Sequence, residues 1–312
     1  MKNHDLEKMV DTSDEWIQSR TGIVERRVVS EGETTSDMCT HIANDLLKRS
    51  NTDPDEIEVI IIATVTPDMP TPATASLVQN RIGANNTWGF DLSGACTGFI
   101  YALDTGCRLI ESGKYKKVMV IGADTMSSIL DYTDRDTCVL FGDGGGGVML
   151  EPAKNEDNGV IDSILRTDGS GSDYLKIPGG GSLHPASYDT IDKHLHYIRQ
   201  DGQVVFKYAI KGMADISEEI LIKNNIPSSS VDLYVPHQAN KRIIDGAAQR
   251  CGFNDDQVYI NINRYGNTTA GTIPICLDEA SELERIKEGD LILLAAFGAG
   301  FTWGSMLIRW GK

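Results

Sequence analysis

No stretch of 18 consecutive apolar residues occurs in the 312-residue chain. That excludes a helical membrane span. Positive charge is scarce: 29 Lys and Arg stand against 45 Asp and Glu, a formal net charge of −16. Such a surface excludes nonspecific nucleic-acid binding, although a local basic patch remains compatible with it. The six cysteines (Cys39, Cys96, Cys107, Cys138, Cys251 and Cys276) include no CxxC pair. Their scatter argues against a disulfide framework and a structural zinc site, and for a reducing cytoplasm. The opening Met1-Lys2-Asn3-His4-Asp5 runs straight into charged sequence and has no signal-peptide core. The glycine run 141–147 has no Lys-Ser/Thr and is followed by strand residues, so it is read as a tight turn with close packing rather than a phosphate loop. His194 and His196 have no carboxylate or cysteine cluster beside them and are read as solvated loop residues, with no metal site.

What is present is patterned. Residues 58–66 (EVIIIATVT) form a β-branched run expected to be a strand buried on both faces. Strands are expected at 87–92, 117–123, 148–150, 159–165, 231–235, 258–262, 291–296 and 305–310. Between them lie helical patterns at 35–47, 74–82, 97–111, 204–223, 241–250 and 272–285, while 168–202 reads as a long excursion. The order from Thr35 to Leu150 repeats from Val204 to Trp310, displaced by about 172 residues through the third strand. This predicts one duplicated α/β unit, with halves at 1–155 and 156–312 divided near the polar stretch 151–158.

Cys96 stands where an apolar strand candidate (Trp88, Phe90, Leu92) meets a buried helix, behind Ser93, Gly94 and Ala95. Free N–H groups at a helix start favour thiolate over thiol. The repeat places Cys96 beside Asn267 and Thr268, and Thr66 beside His237. Ligand sites in such sheets lie at the strands' carboxyl ends, so topology brings Cys96, His237 and Asn267 to one end. Singly, each has a structural reading as a core thiol, a cap or a turn residue.

The stretches DTSDEWIQSRTGI (11–23), DLSGACTGF (91–99), FGDG (141–144), VPHQANKRI (235–243), YGNTTAG (265–271) and FGAGFTWG (297–304) closely resemble the β-ketoacyl-acyl-carrier-protein synthase III family of the thiolase superfamily. The resemblance implies a duplicated five-layered α-β-α-β-α fold. It also implies decarboxylative Claisen condensation of an acyl-CoA starter, commonly acetyl-CoA, with malonyl-acyl carrier protein, opening type II fatty acid synthesis. By it, Cys96 is the nucleophile, His237 and Asn267 hold the enolate oxygen, and the backbone N–H groups of Cys96 and Ala299 form the oxyanion hole. It assigns CoA contacts to Thr12, Trp16, Arg20, Arg135, Asn240 and Arg242, with Trp16 and Arg135 sandwiching the adenine. An acidic carrier would meet Lys207, Lys211, Lys241 and Arg242, the first two being four apart on one helix face. A cytoplasmic homodimer is implied, with no cofactor beyond the substrates and no nucleic-acid or membrane partner.

Relatives carry an opening strand before the segment that here starts at Asn3. They hold it inside the sheet, so its loss is expected to leave a slot in the core. Thr71 occupies a position that is bulky in some acetyl-specific relatives, leaving room for a larger starter. The alternatives are therefore a related condensing enzyme with another starter or acceptor, and a non-catalytic acyl-carrier-binding protein.

Overall fold

The computed structural model describes residues 1–155 and 158–311. The expected boundary at residue 156 lies outside the described residues. Two short helices open the chain, α1 (Asn3–Leu6) and α2 (Asp14–Thr21), the second capped by Ser13, whose side chain accepts from the Trp16 N–H. There follow α3 (Thr35–Ser50), β1 (Val59–Ala63), α4 (Thr74–Ile82), β2 (Trp88–Leu92), α5 (Gly98–Glu111), β3 (Val118–Asp124), α6 (Arg135–Cys138) and β4 (Gly144–Leu150). The second part runs β5 (Gly159–Thr167), β6 (Leu175–Lys176), α7 (Tyr188–Asp192), β7 (Arg199–Gln200), α8 (Gly202–Lys223) and β8 (Leu233–Pro236). It closes with α9 (Lys241–Cys251), α10 (Ile262–Tyr265), α11 (Thr272–Glu282), β9 (Leu291–Gly298) and β10 (Thr302–Arg309).

Side-chain alternation along the strands builds the layers. Ile60 and Ile62 of β1 face Cys39, Ala43, Ala75 and Val78 on α3 and α4. Val59, Ile61 and Ala63 face the other way, into a core shared with α5, α11, β8 and β9. Beyond β9, Leu291, Leu293 and Ala295 pack against Ile216, Ile220 and Ala248 on α8 and α9. The order across the molecule is helices α3 and α4, a sheet, helices α5 and α11, a second sheet, and helices α8 and α9: five layers.

The first sheet has the order β2-β1-β3-β4, with β4 antiparallel to β3. The second has the order β5-β10-β9-β8, with β10 antiparallel to both neighbours. Thus β1, β3, β4 and α5 correspond to β8, β9, β10 and α11. The second sheet also corrects one expectation. Its strand β5 sits at the edge against β10, so the matching position in the first sheet is the outer edge of β4. There is no slot inside that sheet; β1 pairs directly with β3. Among the described residues no strand pairs with the outer edge of β4.

Two more expectations change. Residues 258–262 form no strand beyond one bridge between Tyr234 and Val258. The Gln238 side chain explains it: its Oε1 accepts from the Asn261 and Ile262 N–H groups, which a ladder would otherwise have used. The glycines 144–147 are themselves strand, not a turn leading into one. Close packing does hold there: a Cβ at Gly145 would lie 2.5 Å from that of Ala123, and one at Gly147 2.8 Å from the Val120 carbonyl oxygen.

Candidate active site

Strand β2 ends in a 3-10 turn, Ala95–Thr97, that continues directly into α5. Ala95 is left-handed (φ 46°), which aims the turn sharply. Gly94 cannot carry a side chain here, because its Cβ would lie 2.8 Å from the Gly98 Cα. Cys96 is thereby held at the bottom of a cavity, 7% exposed. The turn after β9 closes over it, so near that a Cβ on Gly298 would lie 3.0 Å from the Cys96 nitrogen. Ala299 lines the same cavity.

His237 follows β8 and is fully buried, its N–H donating to the Ala295 carbonyl at 2.8 Å. Its Nδ1 lies 2.7 Å from Thr272 Oγ1, and its Nε2 has no protein partner among the described residues. Burial pushes the imidazole pKa down to about 3, so the ring is neutral. Asn267 is pinned by its backbone, donating to the Leu140 carbonyl (2.9 Å) and accepting from the Gly142 N–H (3.1 Å). Its Oδ1 accepts from the Thr269 N–H at 2.9 Å. The side-chain NH2 is the end left to face the site.

The helix-start expectation for Cys96 meets a stronger opposing effect. Burial pushes the thiol pKa up to about 12, and the Asp124 carboxylate pushes it the same way. The Cys96 N–H and the Asn267 side chain act in the thiolate's favour, but less strongly.

Asp124 ends β3 and is completely buried. Its Oδ1 accepts from the Thr64 and Thr66 hydroxyls and the Val65 and Thr66 N–H groups. Its Oδ2 accepts from the Thr269 hydroxyl and the Ala270 N–H. Burial raises its pKa against these donors.

The cavity has a volume of about 1930 Å³ and is lined by Cys96, His237 and Asn267 together. Trp16, Arg20, Asn240 and Arg242 line it as well, and so does Thr71; Thr12 and Arg135 do not. Arg135 instead stacks on Trp16, its guanidinium carbon 4.6 Å from the ring centroid. The pair is together but closed, with no room for a base between. The Thr12 hydroxyl is buried without a partner among the described residues. The Asn240 side chain donates to the Arg20 carbonyl (3.0 Å) and caps α9, while Arg242 lies over Phe206 (4.9 Å). Helices α8 and α9 pack together, which brings Lys207 and Arg242 to one region. Lys211 and Lys241 are each paired along their own helix, with Asp215 (2.8 Å) and Asp245 (2.7 Å).

Comparison with known proteins decides the family. The chain is 56% identical, over 99% of its length and 95% of the relative's, to the beta-ketoacyl-[acyl-carrier-protein] synthase III of Chlorobaculum tepidum. The chain belongs to the β-ketoacyl-acyl-carrier-protein synthase III family. The profile described as 3-Oxoacyl-[acyl-carrier-protein (ACP)] synthase III matches residues 90–169, and that of its C-terminal part residues 221–310. The 3-oxoacyl-[acyl-carrier-protein] synthase III from Aquifex aeolicus VF5 superposes with a TM-score of 0.91 at 43% identity, covering 99% of this chain and 95% of that one. The Thermus thermophilus synthase III gives 0.92 at 41% identity, over 100% and 95%. The fold is thiolase-like, and the protein is an acyltransferase of the condensing type.

Several site residues escaped the sequence reading. Asp124 had a signal: a carboxylate closing an otherwise apolar strand (VMVIGA) at the ligand end of the sheet. Thr272 had none, being one of several threonines after Asn267. The excursion 168–202 carries no functional motif in its sequence, yet Leu175, Ile177 and Ile198 line the cavity. The His194 Nδ1 lies 2.7 Å from Asp131, while His196 Nε2 meets the Thr190 hydroxyl at 2.9 Å. Among the described residues no His, Cys, Asp or Glu group has a metal-holding arrangement, and no helix is long and apolar enough to cross a membrane.

Proposed function

We propose that the chain condenses an acyl-CoA starter, with acetyl-CoA as the first choice, with malonyl-acyl carrier protein, and that Cys96, His237 and Asn267 carry the reaction. The observation that carries this reading is the convergence of those three side chains on one cavity at the strands' carboxyl ends. The Cys96 sulfur attacks the thioester carbonyl, forming a new S–C bond as the CoA thiolate leaves with the thiol proton. The Cys96 and Ala299 N–H groups hold the tetrahedral oxyanion. The malonyl C–C bond then breaks, CO2 departs, and the electron pair passes to a thioester enolate held by His237 and Asn267. The enolate carbon attacks the acyl-Cys96 carbonyl, and the cysteine sulfur leaves.

Trp16 and Arg135 part to admit the nucleotide, while Thr12, Arg20, Asn240 and Arg242 line its path. The carrier docks on Lys207, Lys211, Lys241 and Arg242, and the working form is a cytoplasmic homodimer. A starter larger than acetyl is a second reading, favoured by the short side chain of Thr71 in a cavity of about 1930 Å³. Turnover across acyl-CoA chain lengths separates the two.

The mechanism is tested by following acetyl label on Cys96 and CO2 release in parallel. Cys96→Ala should abolish condensation yet retain malonyl-carrier decarboxylation. His237→Ala and Asn267→Ala should each lose decarboxylation by about 100- to 1000-fold while still accepting acetyl label. A His237→Ala protein that decarboxylates normally but cannot be acylated would make His237 a base for Cys96 and overturn the assignment.

A further inference from the structure

We infer that Thr272 is a positioning residue that sets the tautomer of His237: its hydroxyl donates to Nδ1, so the single ring proton sits on Nε2 and points into the cavity. This deepens the proposed role of His237 and rests on that reading. A neutral imidazole carries one proton on one of two nitrogens, and the partner of one decides the other. Nδ1 is 2.7 Å from Thr272 Oγ1. Nε2 of this cavity-lining residue is buried and has no protein partner among the described residues, so nothing on its own side settles its proton.

Thr272 Oγ1 has one proton and two acceptors within reach. The Thr269 carbonyl is 3.3 Å away, beyond the 2.5–3.0 Å in which hydroxyl bonds are usually found, whereas Nδ1 is well inside it. The hydroxyl proton belongs to Nδ1. The reverse arrangement, with Nδ1–H donating to Oγ1 and the hydroxyl turned to the carbonyl, would leave a bare Nε2 lone pair facing the enolate oxygen, and would repel it.

Asn267 is polarised by the same stretch of chain. The Thr269 N–H occupies its Oδ1, so its NH2 is the end left for the cavity. Residues 269–272 therefore fix the donor sense of both groups. Thr272 is buried at the first turn of α11, and among the described residues its hydroxyl makes no bond to a backbone N–H, as a helix-capping threonine would.

The test is 15N NMR of histidine-labelled protein, with His237→Asn identifying the His237 signals, beside rates for Thr272→Val and Thr272→Ser. The wild type should show its proton on Nε2. Thr272→Val should lose about 10- to 100-fold in kcat for malonyl-carrier decarboxylation, with KM and Cys96 acylation within about threefold, and Thr272→Ser should restore it. A proton on Nδ1 in the wild type overturns the inference, and the spectrum decides even if Thr272→Val does not fold. Where His237→Ala has lost decarboxylation, wild-type decarboxylation in Thr272→Val overturns it too, as does acylation falling together with decarboxylation in both Thr272 variants. The tautomer is read without substrate. Undiminished decarboxylation in His237→Ala would therefore sink the catalytic reading while leaving this one standing.

Discussion

At Cys96 two effects of opposite sign meet. The start of α5 offers N–H groups that stabilise a thiolate, but burial and the Asp124 carboxylate hold the thiol pKa up at about 12. The resting residue is a protonated thiol. Its alkylation by iodoacetamide should accelerate about tenfold for each pH unit between roughly pH 7 and 9, followed by peptide mass mapping. A plateau below about pH 8 would show that the helix-start donors win. Acetyl-CoA should label Cys96 alone, because Cys39, Cys107, Cys138, Cys251 and Cys276 do not line the cavity. At this scale the three side chains that meet in the cavity were legible, since each sits in a short motif. Thr272 was not, and Asp124 only as a carboxylate closing an apolar strand. Their partners, His237 and Thr269, are 35 and 145 residues away in sequence, and only folding brings them close.

The elements around the site are tied by side chains rather than by sheet alone. Asp124 joins the end of β1 to the turn before α11, accepting from both. In Asp124→Asn, an amide NH2 must face donors that now lack an acceptor. We expect a loss of about 2 kcal/mol or more, read from the urea midpoint, together with slower decarboxylation. Unchanged stability would mean that the turn holds itself. On α8 and α9, the pairing of Lys211 and Lys241 with aspartates leaves Lys207 as the stronger candidate for an acidic carrier. Lys207→Glu should raise the KM for malonyl-carrier several-fold, more than Lys211→Glu does, and should leave acetyl labelling unchanged. Since exposed ion pairs are weak and screened, the effect should shrink as salt rises. Equal damage to labelling would remove the case for a carrier surface. Most elements were legible from apolar periodicity. Periodicity points to a strand at 258–262 because it does not reveal that Gln238 takes the N–H groups of Asn261 and Ile262, and the displacement of 172 falls two residues short of the structural match, in which Cys96 lies opposite Ala270.

On the scale of the whole molecule, the division into halves and the division into cores do not coincide. Helices α5 and α11 lie back to back in one apolar core that takes residues from both sheets. Thermal unfolding should therefore show one transition by far-ultraviolet circular dichroism and tryptophan fluorescence alike; two separated transitions would show independent halves. The outer edge of β4 is where the fold was least legible. Only the second sheet's order, with β5 on the outside of β10, shows that the matching place in the first sheet is an edge, the side of β4 that no strand pairs among the described residues. The shared central layer has a further consequence for a newly made chain. Cys96, the nucleophile in the proposed reaction, is synthesised long before His237 and Asn267, and the two sets meet in the cavity only once the halves have packed across α5 and α11. On the proposed mechanism, a half-folded chain should therefore be silent toward malonyl groups, releasing no CO2 before it is able to use the carbanion that release creates.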